Sequence, residues 1–210
     1  MKKNIKAIIF DYDGVIVDSF PSVFEVYKKV CNYFNVAIPG DIESFRIIYG
    51  RNYRECLKNL GIDEKNSLKV NLIFREEIVK MNHDIFAGMS DVIKKLKPKY
   101  RLYLISASHS DEVVAKLNKY KLLSFFEKIY CGADQGAKKS EMFRDFFLEN
   151  NFTNKEVVAI GDRQVDYDVA REVGIDENNI IMVTYGWGFD KTKVGGAKII
   201  NKPQEIIDNI

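Results

Sequence analysis

Cysteine is scarce: Cys31, Cys56 and Cys131 are the three among 210 residues. An odd number at these spacings matches neither a disulfide framework nor a zinc motif, so they read as buried or half-buried free thiols. Surplus charge is missing as well. Thirty-two Lys and Arg against 30 Asp and Glu leave a formal +2. The basic residues form no run or tail, which argues against nucleic acid or an anionic membrane as a partner. No apolar run approaches the length of a membrane span. Met1-Lys2-Lys3 is basic, but the apolar stretch behind it stops at Asp11, too short for the core of a secretion signal. A cytoplasmic protein is expected. Internal repeats and low-complexity segments are absent too.

What is there is the composition of a soluble globular protein, 46% hydrophobic and 30% charged, long enough for one domain or one domain carrying an insertion. Short apolar runs rich in Ile, Val and Tyr stand at Ala7–Phe10, Leu102–Ile105, Lys128–Cys131, Val157–Ile160 and Ile180–Val183, with a weaker one at Lys198–Ile200. Helix-like segments separate the last five. That pattern predicts an α/β fold, a doubly wound parallel sheet covered on both faces in three layers. The interval from Ser19 to Phe86 breaks the alternation and holds no strand signal. It reads as helices: one after Pro21 with Asp18 or Ser19 as cap, one stopping at Gly61, and one with apolar residues at Leu68, Leu72, Ile73 and Val79. The expected organisation is an α/β core from 1–17 and 88–210, with an all-helical cap inserted at 18–87. Gly88 is the expected turn on the return. Phe24, Tyr27 and Phe34 read as core of the helical part.

In a doubly wound sheet, ligands bind at the carboxyl ends of the strands. After the first run come Asp11, Tyr12, Asp13 and Gly14; after the second, Ser106, Ala107 and Ser108; after the third, Lys138 and Lys139 at a helix start; after the fourth, Asp162 and Asp166. Each station alone is weak, because Asp and Gly are ordinary turn residues. Four in order, each at a strand end, are specific. Several carboxylates in one pocket call for a cation, and oxygen ligands completed by water suit Mg2+, which favours phosphate. Lysine and serine bind phosphate oxygens. One carboxylate is then available as a nucleophile and another as a proton carrier.

These stretches resemble the four motifs of the haloacid dehalogenase superfamily of phosphohydrolases. "DYDGVIVDS", "LISAS", a lysine of "KKSEMF" and "IGDRQVD" correspond in turn. The nearest look is the phosphoglycolate-phosphatase-like branch with a helical cap, and "VTYGWG" resembles that branch's carboxyl end. The resemblance covers nearly the whole chain and implies roles. Asp11 attacks phosphorus; Asp13 is the general acid, then the base toward water. Mg2+ binds the Asp11 carboxylate, the Asp13 carbonyl and Asp162. Ser106 and a lysine hold the phosphoryl oxygens, and Asp166 orients the lysine or the water shell of the metal. Amides near Tyr12, Asp13, Gly14 and Ala107 complete the cradle. The family's dehalogenases have no Asp where Asp13 stands, so its presence favours transfer to water. The branch often has Lys-Pro at the third motif, where this chain has "AKKSEMF". Either Lys138 or Lys139 serves, and Lys139 is preferred.

The cap is expected to close over the pocket and select the leaving group. Its turn "IIYGRNYREC" is expected to reach inward, with Arg51 pairing with a substrate anion. His109 reads as a loop residue before a helix capped by Ser108 or Ser110. Trp187 stands either at the pocket mouth or in a packed surface loop. The expected activity is Mg2+-dependent hydrolysis of a small phosphate monoester, phosphoglycolate-like or a sugar phosphate, through an aspartyl-phosphate. The alternatives are a phosphosugar mutase of the same branch and a receiver-like, non-catalytic phosphate-binding regulator. The partner expected is the small-molecule ester, with no nucleic acid and no membrane, and the protein a monomer or small homo-oligomer.

Overall fold

A computed structural model describes residues 4–50, 53–133 and 136–210. The run Ala7–Phe10 forms β1, buried throughout. In α1 (Phe20–Phe34) Pro21 occupies the first turn, where its missing N–H costs nothing. Ser19 precedes the helix without a side-chain cap bond, and Asn35 ends it in the left-handed region at φ 54°. Next comes α2 (Ile42–Tyr49), started by Asp41, whose carboxylate accepts from Ser44 N–H at 2.9 Å. α3 (Tyr53–Asn59) and α4 (Ser67–Ile78) complete the helical stretch. Strands and helices then alternate: α5 (Met89–Leu96), β2 (Arg101–Ser106), α6 (Ser110–Lys119), β3 (Phe126–Cys131), α7 (Lys139–Asn150), β4 (Val157–Gly161), α8 (Gln164–Glu172), β5 (Ile180–Val183) and β6 (Lys198–Ile200).

The described residues form a six-stranded sheet in the order β3-β2-β1-β4-β5-β6, every pairing parallel. Successive side chains of a strand point to opposite faces. Ile8, Phe10, Leu102, Leu104, Val158 and Ile160 therefore pack with α5 and α6 on one face. Ala7, Ile9, Tyr103, Ile105, Val157 and Ala159 pack with α7 and α8 on the other. Both faces are covered, which is why the strands read as near-continuous apolar runs. The chain runs outward from β1 to β2 and β3, then returns to β1's other side for β4. That reversal places a crevice at the carboxyl ends beside β1.

The chain divides into two compact units, 1–18 with 85–210, and 19–84. The seams differ slightly from the sequence expectation of 17/18 and 87/88. Ile85–Ala87 stay with the α/β unit because Phe86 N–H donates to Ile16 O at 2.9 Å and Ile85 bridges Val17. In the helical unit, Phe45 is fully buried and its ring stands 5.7, 5.0 and 5.3 Å from Phe20, Phe24 and Tyr27. Phe24 and Tyr27 are core, as the sequence suggests; Phe34 is half-buried. In the stretch "IIYGRNYREC", α2, a helix capped by Asp41 that the sequence reading did not name, ends at Tyr49 and α3 starts at Tyr53; Arg51 lies outside the described residues. The helix expected from Leu68, Leu72, Ile73 and Val79 is α4; Leu68, Leu72 and, just past its end, Val79 are exposed and Ile73 is half-buried, while Val70 and Ile78 are buried.

Candidate active site

Register sets the site. Phe10 lies level with Leu104 and Ile160, so Asp11, Ser106 and Asp162 all fall one or two residues past one line across three strands. Asp11 N–H still donates to Ile160 O at 2.9 Å, prolonging the ladder by one bond. The chain then folds back, with Ile16 and Val17 N–H both on Tyr12 O. Gly14 has φ +77°, and a Cβ there would collide with the Asp162 carboxylate; only glycine fits. The Tyr12 side chain is buried in the core, and its amide donates to Asp11 Oδ1 at 2.8 Å.

Lys139 is the first residue of α7, its side chain 11% exposed. Its ammonium stands 2.9 Å from Asp11 Oδ1 and 2.5 Å from Asp166 Oδ1. Lys138 is exposed, and its N–H donates to Glu141 Oε2 at 2.8 Å. Of the two lysines, Lys139 reaches the carboxylates. Asp166 stands in the first turn of α8, and its Oδ2 accepts from Asp162 N–H at 3.1 Å and Arg163 N–H at 2.9 Å. The carboxylate thus caps the helix with one oxygen and holds Lys139 with the other. Asp162 Oδ2 accepts from Trp187 N–H at 2.5 Å, while Oδ1 is buried without a hydrogen bond.

Ser106 is fully buried, and its Oγ accepts from Ser108 N–H at 2.9 Å. Ala107 is exposed. Ser108 does not cap α6, and neither does Ser110; His109 is the residue before the helix and caps with no side-chain bond. The Ser108 hydroxyl instead donates to Asp13 Oδ2 at 2.5 Å. Glu112, one turn into α6, is a member of this neighbourhood that sequence reasoning missed. Burial pushes its carboxyl up to about 7, helped by the negative charges of Asp13 and Asp111. No spacing rule announces such a residue, since it is brought in by the packing of α6 against the sheet. The Trp187 amide was equally illegible, because a backbone donor carries no residue-type signal.

The electrostatics are lopsided. Ligand oxygens of Asp11, Asp162 and Asp166 lie within 4.8 Å of one another, all three buried. Ionised together, three carboxylates would outweigh the Lys139 ammonium and the Arg163 guanidinium beside Asp162 and leave the site net negative. Burial, outweighing Lys139, pushes the Asp11 carboxyl up to about 7, with Asp166 and Asp13 adding to the rise. Burial also raises Asp162 well above the usual carboxylate range, with Asp166 and Asp11 contributing. Burial alone would lower Lys139, but Asp11 and Asp166 reverse that and hold it protonated. A divalent cation matches the surplus charge and the oxygen-only donor set. Asp11 and Asp162 have oxygens to offer it; both oxygens of Asp166 already accept hydrogen bonds.

A family model for haloacid dehalogenase-like hydrolases matches residues 8–180. Among curated proteins, a phosphorylated carbohydrates phosphatase of Thermotoga maritima is 24% identical over 216 residues, covering 97% of each chain. A phosphoglycolate phosphatase of Synechococcus elongatus is 23% identical, covering 89% of this chain and 86% of its own. Among solved structures, a haloacid dehalogenase-like family hydrolase of Streptococcus pneumoniae superposes with a TM-score of 0.86 at 21% identity over 99% of each chain, a likeness of fold.

Proposed function

The chain belongs to the haloacid dehalogenase-like hydrolase family, and from that premise we propose that it is a Mg2+-dependent phosphatase of a small phosphorylated metabolite, phosphoglycolate-like or a sugar phosphate. The observation that carries this reading is the buried set of three carboxylates around one lysine at the strand ends. Ionised together, the three carboxylates outnumber the cations beside them, Lys139 and Arg163, and Asp162 Oδ1 is buried without a hydrogen bond. Both features fit a hard divalent cation held by the Asp11 and Asp162 carboxylates and the Asp13 carbonyl. When bound, the cation supplies charge neutralisation at the phosphoryl group and reverses the upward push on Asp11. The names of the two curated relatives support the substrate class.

The residues divide the work. Tyr12 N–H and Lys139 both meet Asp11 Oδ1 and hold the carboxylate in place as the nucleophile toward phosphorus. A P–O bond to Asp11 forms as the bond to the leaving oxygen breaks, and Asp13 delivers a proton to that oxygen. Asp13 then takes a proton from water as the water attacks phosphorus and releases Asp11. Ser106, whose Oγ already accepts from Ser108 N–H, has its own proton to give to a phosphoryl oxygen. Lys139 holds another, kept in place by Asp166. Gly14 lets the backbone come close, and the amides of Gly14 and Ala107 serve the equatorial oxygens.

The test is hydrolysis of p-nitrophenyl phosphate and a panel of small phosphate esters, with and without Mg2+, by wild type and Asp11→Asn. Turnover that needs Mg2+ and disappears in Asp11→Asn is the expected result. Metal-independent turnover, or an active Asp11→Asn, contradicts the mechanism.

A further inference from the structure

The three clustered carboxylates are not held alike. Asp11 is met by an amide and an ammonium, and Asp166 by two amides and the same ammonium. Among the described residues, the Asp162 carboxylate has one donor, Trp187 N–H, from the loop after β5. Rotation about the bond that sets a carboxylate's plane is soft, with broad, two-fold preferences. Something has to stop the group turning, and the surroundings supply it. A Cβ on Gly14 would collide with Asp162 Oδ2 and lie 2.8 Å from Trp187 Cδ1. A Cβ on Gly186 would collide with Gly14 O and with the same Oδ2. Bare backbone from the β1 loop and the β5 loop therefore presses on this one oxygen. Oδ1 stays buried and without a hydrogen bond.

We propose that residues 185–188 are the positioning element for Asp162, in which Trp187 N–H fixes Oδ2 so that Oδ1 faces the cation as a single-oxygen ligand. The inference rests on the Mg2+ reading above and deepens it. The backbone amide acts here, not the indole. The indole packs beside the Arg163 guanidinium, 5.2 Å from guanidinium carbon to ring centroid, with its Cδ1 close to Gly14, while the bond to Asp162 Oδ2 comes from the amide. Trp187 is a positioning residue: it acts through Asp162 and touches no reacting atom. The glycines at 14 and 186 follow from the same need, since side chains there would force the carboxylate out of its plane.

The test is calorimetric titration of the full chain with Mg2+ alone, without substrate, on wild type, Trp187→Phe, Gly186→Ala and Trp187→Pro, each checked for folding by circular dichroism. Trp187→Phe keeps the N–H, and its Mg2+ affinity is expected to be unchanged. Gly186→Ala and Trp187→Pro are expected to bind at least about tenfold more weakly, the scale on which losing a ligand's supporting partner acts. Should the proline variant fail to fold, Gly186→Ala decides alone. Wild-type affinity in folded Gly186→Ala overturns the positioning role, and so does a Trp187→Phe variant as weak as the proline one. A wild type that binds no Mg2+ overturns the cation reading itself, a result separable from the other two.

Discussion

Asp11 is pulled two ways. Burial and the neighbouring carboxylates favour its protonated form, while Lys139 favours the ionised form a nucleophile needs. The lysine is held inside the cluster, with its side chain 11% exposed and two carboxylates within 2.9 Å. Removing one partner of a buried charge cluster strands the others. Lys139→Met is expected to cost about 3–5 kcal/mol of stability and to abolish turnover. Lys138→Met, one residue earlier on an exposed backbone turn, is expected to stay within about 0.5 kcal/mol. Urea unfolding of the two variants checks the pair, and equal losses would contradict the assignment of Lys139. Ser108 also acts at this scale. A residue readable as a helix cap instead donates to Asp13, and His109 precedes α6 with no side-chain cap bond.

At the scale of elements, the helical unit is organised by one ring. Phe45 on α2 contacts Phe20, Phe24 and Tyr27 of α1, as well as Tyr49 one turn on. Phe45→Ala is expected to destabilise that unit by about 3–5 kcal/mol, since the surrounding rings cannot close the cavity. Chemical denaturation followed by circular dichroism measures it, and a loss below about 1 kcal/mol would show that the ring is not central. In the α/β unit, β1 is tied to the turn before β4 through Glu156. Its carboxylate accepts from Lys6 and from Thr153 N–H and Oγ1, which hold it down at about 2. The unfolded carboxyl titrates near about 4.3, so the folded state binds the proton less tightly. The stabilisation is thus present above about pH 4.3 and fades as pH falls through about 2. Glu156→Gln is expected to lower Tm at pH 7, with the gap closing between about pH 4 and 2. A gap independent of pH would refute this.

At the scale of the whole molecule, the strand order reverses beside β1, and Asp11, Lys139, Asp162 and Asp166 collect there at the strand ends. Most of this was legible, because buried parallel strands must be apolar along their length and their carboxyl ends are then easy to find. Lys128–Cys131 was read two residues short, since Phe126 and Glu127 sit at the close of a 3-10 turn that hides the strand's start. The helix Ile42–Tyr49 went unnamed although its capping aspartate was in view. The outward face of α4 was invisible, because periodicity marks a stripe without saying which side is covered. What sequence could not convey of the site are the contacts made by backbone, Trp187 N–H above all, and those created by packing, such as Glu112 beside Asp13.

The central claim is that Asp11 carries the phosphoryl group. Rapid quenching of wild type during turnover of a phosphate monoester with Mg2+, reduction with borohydride, and mass spectrometry of the peptide spanning residue 11 test it most directly. The account predicts conversion of Asp11 to homoserine, dependent on both substrate and Mg2+ and absent without either. Turnover with Asp11 unmodified, or with the modification on another carboxylate, would contradict it.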